Sequence, residues 1–186
     1  METFYTSERS EWRKYLSDRF ETAAEIWFVF PLKGSGEESL SYNDAVEEAL
    51  CFGWVDSVQK LIDGKRMQRF SPRKGNSPWT ELNKARVRRL ESLGRMTDAG
   101  RAVLPAMGPR SFRVDREVEA AMKAARVWSK FRSFPPLYQR VRTYNVAFYK
   151  NRAPEIYQKA LAHLIEETKR GRMFGEWNDY GRLPDD

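Results

Sequence analysis

Side chains capable of concerted chemistry gather between Cys51 and Asn83, in the stretch CFGWVDSVQKLIDGKRMQRFSPRKGNSPWTELN. Asp56, Arg69, Arg73, Lys74, Ser77 and Asn83 alternate there with the aromatic residues Phe52, Trp54, Phe70 and Trp79. Cations placed just ahead of a helix favour an anion, because the first N–H groups of the helix are unsatisfied and its dipole is positive at that end. The dipeptide Ser77-Pro78 predicts such a start, with Ser77 as N-cap and Pro78 at the first helical position. Arg73 and Lys74 precede it, and Arg69 adds a planar fork able to grip a carboxylate or phosphate. Asp56 either orients one of these cations or, if buried, serves as an acid or base. The competing reading is structural: Asp56 pairs with Arg69 or Arg73, and Asn83 satisfies loop backbone. From the residues alone both stay open.

Other chemistries find less support. His163 is the one histidine and falls among the core candidates Leu161, Leu164 and Ile165, so it reads as a packing or surface residue. Cys51 is the one cysteine, which excludes an internal disulfide and any cysteine-built zinc site; it reads as a small buried residue. Triad and Cys–His chemistry would both have to borrow His163 from a distant helix. Lys33-Gly34-Ser35-Gly36 lacks the spacing of a nucleotide-binding loop and reads as a turn. The sequence therefore predicts no metal and no cofactor.

Charge points to the same stretch. The net charge is +7. Between Lys60 and Arg95, eleven Lys and Arg face three acids, so this segment holds all of the excess. Concentrated positive charge suits phosphate, carboxylate, nucleic acid or acidic headgroups, or simply makes a solvated helix face. Residues 79–93 form a basic helix that could lie along phosphates, the basis for a nucleic-acid alternative. The first twenty residues carry scattered charge and no apolar core, unlike a signal peptide, and no run is long and apolar enough to span a bilayer. The cytoplasm is the expected compartment.

Around this stretch the pattern predicts the elements that must hold it. Ser7 is placed to cap a first helix with Trp12, Tyr15, Leu16 and Phe20 on one face. Residues 25–32, EIWFVFPL, read as a strand buried on both faces. Ser41 with Asp44 opens a second helix that stops at Gly53. Residues 55–62 and 67–71 read as strands joined by Asp63-Gly64, and Pro72 ends the second. Thr97-Asp98 starts a short helix finishing near Pro105 and Pro109. From Val114 the pattern is helical throughout: Val118, Met122, Trp128 and Phe131 continue one face, Phe134-Pro135-Pro136 interrupts, and Leu137, Val141, Ile156, Leu161 and Leu164 resume it. Gly171 closes the last helix before a tail holding Phe174, Trp177 and Tyr180.

The central segments, AVEEALCFGWVDS and then RFSPRKGNSPWTELNKARVRRLESLGRMTDAG, resemble the YdeI/OmpD-associated family, also called bacteriocin-protection proteins. That family carries an EALCFGWIDG-like segment followed by an RFTPRK-like one. The likeness extends back through WFVFPLKGSG and forward to FPPLYQRVRTY and YKNRAPEIYQKALAHLIEETKRGR. Trp54, Asp56, Arg69, Phe70, Pro72, Arg73, Lys74, Ser77, Trp79 and Asn83 match its motifs. Ser57 stands where the family has glycine, and Arg126 where it has a helix-breaking proline. The resemblance implies a role in tolerance to bacteriocins or cationic antimicrobials and association with an outer-membrane porin; it implies no catalytic mechanism.

Together these readings predict an α+β fold: a small mixed or antiparallel sheet with covering helices over residues 1–110, then an all-helical module over 111–186. The expected function is a non-enzymatic stress- or bacteriocin-resistance protein that binds a small anion near Trp54, Asp56, Arg69, Arg73, Lys74, Ser77, Trp79 and Asn83. The alternatives are nucleic-acid binding through the basic helix and catalysis by Asp56.

Overall fold

The structure, a computed structural model, describes residues 1–32, 34–108 and 110–184. Lys33 of the expected KGSG turn, Pro109 at the expected end of the short helix, and Asp185 and Asp186 of the tail lie outside the described residues. The fold is α+β, and the chain divides into two compact units. The first holds Met1–Pro78 and Val87–Pro105; the second holds Trp79–Arg86 and Ala106–Asp186. The contiguous division expected near residue 110 thus compares with a change after Pro105 and an earlier excursion at 79–86.

The first unit is built on a four-stranded mixed sheet of order β1-β2-β4-β3. Strand β1 (Thr3–Phe4) runs parallel to β2 (Ile26–Phe30), while β4 (Lys65–Pro72) is antiparallel to β2 and to β3 (Trp54–Ile62). All five residues of β2 are buried, as its unbroken aromatic and β-branched run predicts. Alternation puts Ile26 and Phe28 on one face with Phe70, and Trp27 on the other with Arg69. Helix α1 (Arg9–Arg19) brings Trp12 onto the first face, 5.1 Å from Phe28 and 5.5 Å from Phe70 between ring centres. The Trp12 indole N–H donates to the Ala45 carbonyl of helix α2 (Tyr42–Cys51) at 3.0 Å, tying the two helices together.

Turn chemistry agrees with the sequence at the hairpin. Asp63 and Gly64 have φ of 49° and 70°, the left-handed pair that a two-residue connection needs. Ser41 caps α2 as expected, accepting the Asp44 N–H at 3.1 Å. The first helix differs: it begins at Arg9 after an extended Glu8, and the Glu8 N–H is taken by the Thr6 hydroxyl at 2.9 Å, not by Ser7. Thr97 caps helix α4 (Asp98–Ala102). A bulge between Asp56 and Gln59 sets Ser57 and Val58 against Arg69 alone.

Helices make up the second unit: α5 (Arg116–Ala124), α6 (Trp128–Arg132), α7 (Pro136–Phe148) and α8 (Pro154–Lys169). Its core includes Val118, Met122, Phe131, Leu137, Tyr138 and Leu164. The face predicted to run unbroken from Val118 to Phe131 is instead two helices. Arg126 adopts φ 58°, and the N–H groups of Arg126 and Val127 close back on the carbonyls of Lys123 and Met122. Ile156, expected inside, is 48% exposed, and Tyr157 takes the core position beside it. The tail is part of this core: Trp177 and Leu183 are buried, and Trp177 meets Tyr138 edge-on at 5.7 Å.

Candidate functional site

Within the first unit the predicted residues go to three different places. Trp54 is core, 1% exposed, its indole N–H donating to the Phe20 carbonyl at 3.3 Å. Asp56 lies opposite Phe70 and so shares the face that α1 and α2 cover; its carboxylate accepts the Tyr42 hydroxyl. Arg69 points from the other face, where its Nε donates to Glu25 at 2.6 Å and its Nη1 to the Ser57 hydroxyl at 3.3 Å. Adjacent strand residues alternate between faces, so Asp56 and Arg69 do not converge, and the expected Asp56–Arg69 staple is not made. Ser57, where the resembled family has glycine, contributes the hydroxyl that Arg69 uses.

Arg73, Lys74 and Ser77 do lie together. The Arg73 side chain is buried and Nη1 donates to the Pro78 carbonyl at 2.9 Å. Ser77 is not a helix cap: its hydroxyl accepts the Lys74 N–H at 3.1 Å and its own N–H returns to the Lys74 carbonyl at 2.9 Å. That closes a turn. Helix α3 (Glu81–Ser92) begins later, capped by Thr80, whose hydroxyl accepts the Asn83 N–H at 3.1 Å. Ser-Pro and Thr-Glu are both plausible starts, and spending the Ser77 hydroxyl on the turn decides between them. Arg73 and Lys74 therefore precede a turn, and the helix-dipole argument for an anion beside them has no counterpart. Trp79 and Asn83 belong to the second unit, where Asn83 accepts from Arg86 at 3.0 Å.

The basic helix also spends its charge internally. In the second unit Lys84 pairs with buried Glu81 at 2.7 Å, and Arg86 pairs with buried Asp179. In the first, Arg89 reaches Glu47 at 2.9 Å. A nucleic-acid surface needs cations facing solvent, and these face carboxylates.

A constellation missed by sequence reading centres on Glu47 and Glu48 of α2, neither with any exposed side chain. Glu48 is bound by Arg9, by Arg13 at 2.7 Å and by Arg95; Glu47 is bound by Arg9 at 2.8 Å and by Arg89. Burial works against the charged form of Arg9, but Glu48 and Glu47 outweigh it and raise its pKa above the usual value. The available signal was two adjacent glutamates between the apolar pairs Ala45-Val46 and Ala49-Leu50, matched by arginines four apart in α1. Its saturated geometry makes it a clamp. Cys51, buried nearby, has its thiol pushed up to about 11 by burial and by Glu48, so it is neutral and a poor nucleophile.

The second unit contains an open cavity of about 680 Å³. Arg113 and Arg116 precede and begin α5, Arg132 ends α6, and Arg140 comes from α7. Phe112, Trp128 and Phe134 supply aromatic wall. Glu119, the one carboxylate among the described residues of the lining, is spent on Lys123 at 2.6 Å. Arg140 has its Nε 3.8 Å from Glu81. Among the described residues, Arg113, Arg116 and Arg132 have no carboxylate within ion-pair distance. Gln139 fixes Arg132: its Oε1 accepts from Nη1 at 2.7 Å, and its amide donates to the carbonyls of Phe134 at 2.6 Å and Arg132 at 3.2 Å. The Arg132 guanidinium and Lys123 ammonium each lie 5.9 Å from the Trp128 ring centre. The break at Arg126 separates Arg116 on α5 from Arg132 on α6, and the interruption read at Phe134-Pro135-Pro136 precedes Arg140 on α7.

Among the described residues, no three His, Cys, Asp or Glu side chains converge as metal ligands, and no helix is long and apolar enough to cross a membrane. His163 is exposed and packs edge-on against Phe174. A family model described as "Domain of unknown function (DUF8412)" matches residues 4–103, which excludes the residues lining the cavity. No curated protein and no solved structure matches the chain.

Proposed function

The chain belongs to the family of unknown function DUF8412, and from that premise we propose that it is a non-catalytic binding protein that accommodates an anion in the cavity of its second unit. One observation carries this reading: three arginines on a concave wall with no carboxylate among the described residues within ion-pair distance of them. Arginine in that setting holds phosphate or carboxylate through charge-assisted, often paired, hydrogen bonds. The expectation from the residues, an anion site near Arg69, Arg73, Lys74 and Ser77, has less in its favour, since Arg69 is paired with Glu25 and Ser77 with a turn. A resistance-type role is supported by the motif resemblance across residues 54–83, and a porin partner by the name of the resembled family alone.

Thermal unfolding with and without inorganic phosphate at low ionic strength tests the proposal. A site filled to ten times its Kd adds about 1.4 kcal/mol to stability. Phosphate also stabilises proteins generally by exclusion, so the comparison with Arg113→Glu/Arg116→Glu decides. The expected result is a larger rise in Tm for the natural chain than for the double variant; equal rises would sink the proposal.

A further inference from the structure

We infer that the cavity takes a planar aromatic anion of the nucleoside monophosphate class, its ring against the Trp128 wall and its charge on the uncompensated arginines. The inference rests on the anion reading above and adds the body of the ligand.

Size is the first argument. About 680 Å³ is more than twenty times the share of one water in the liquid, about 30 Å³. A bare phosphate would leave most of that volume to solvent, whereas cavities of roughly 300–1,000 Å³ typically enclose whole small organic molecules. The wall chemistry is the second. Phe112, Val114, Trp128, Phe134 and Pro136 offer apolar surface that a small hydrated ion would not use. The third is the kind of apolar surface. Trp128 is half-buried and already attracts the cations of Arg132 and Lys123 to its ring. Nucleobases stack on both indole and guanidinium planes, and this cavity presents both. An aliphatic anion would satisfy the arginines and gain nothing specific from the ring. Gln139 is committed to backbone carbonyls and to Arg132, so it does not read a base edge; stacking and charge, not base identity, set the preference.

Isothermal titration of the full chain with adenosine monophosphate, adenosine, inorganic phosphate and octanoate tests this. The monophosphate is expected to bind at least tenfold more tightly than each of the other three. Arg116→Glu is expected to weaken it at least tenfold. Trp128→Leu is expected to bring it towards phosphate while leaving phosphate itself unchanged, and Phe112→Ala serves if Trp128→Leu does not fold. Phosphate or octanoate binding as well as the monophosphate would overturn the ring-bearing class and leave the anion reading standing. Adenosine binding as well as the monophosphate, or no binding by any of the four, would overturn both.

Discussion

Arg86 holds the carboxylate of Asp179 with two parallel hydrogen bonds, Nη2 to Oδ1 at 2.9 Å and Nε to Oδ2 at 3.0 Å, and both side chains are almost fully buried. The pair joins the middle of α3 to the C-terminal tail, the same tail that inserts Trp177 and Leu183 into the second unit's core. Desolvating two charges is costly, and removing one partner leaves the other buried and uncompensated. Asp179→Asn keeps the shape and tolerates the backbone φ of 55° but removes the charge. Stability is expected to fall by about 3–5 kcal/mol. Urea unfolding checks it, and a loss within about 0.5 kcal/mol would show that the pair does not hold the tail.

A second charge clamp should behave the same way in the first unit. Glu48 is enclosed by Arg9, Arg13 and Arg95, so Glu48→Ala takes the carboxylate from Arg13 and Arg95 at once, while Arg9 keeps Asp44 and Glu47. The expected loss is again about 3–5 kcal/mol. Glu166→Ala, which removes an exposed pair with Lys169, is the contrast, with a much smaller change because solvent screens that pair. Comparable losses in the two variants would contradict the clamp.

Arg126 tests how the second unit interrupts its helix. A left-handed conformation costs a side-chain-bearing residue roughly 1–2 kcal/mol relative to glycine, and Arg126 adopts it at φ 58°. Arg126→Gly is expected to raise stability by about 0.5–1 kcal/mol, less than the full strain because the unfolded chain gains freedom. Arg126→Pro, the residue the resembled family carries there, fixes φ near −65° and should destabilise. Calorimetric Tm values in which the glycine variant melts below the natural chain would refute the strain argument.

What the sequence made legible follows from how local each signal is. Strand β2, the Asp63-Gly64 hairpin and the Ser41 cap depend on residues a few positions apart, and each is present in the structure. The α+β class follows from them. The cap at Ser77 was misread because a serine hydroxyl serves a turn as readily as a helix, and only the local geometry selects. The break at Arg126 stays open in the sequence, because arginine is a good helix former and only the resembled family's proline at that position points to a boundary. The separation of Asp56 from Arg69 needed strand register, and a bulge at Ser57 and Val58 shifts register just there. The cavity is harder still, because its arginines come from three helices and the segment before them and become neighbours only once these pack.

Cys51 gives a prediction at the alkaline end of the stability profile. Its thiol has a pKa of about 11 in the folded chain against an ordinary 9.0, raised by burial and by Glu48. Between those values the folded state keeps a proton that the unfolded state releases, so the unfolded chain binds fewer protons and stability falls as pH rises. The full contribution is present below pH 9.0 and is lost by about pH 11. The gap between 9.0 and about 11 corresponds to roughly 2–3 kcal/mol. Tyrosines titrate in the same range, so the measurement is the difference in unfolding free energy between the natural chain and Cys51→Ala at each pH. That difference is expected to shrink in favour of the variant by this amount between pH 9 and 11. Parallel curves over that interval would mean that Cys51 ionises in the folded chain as it does in water.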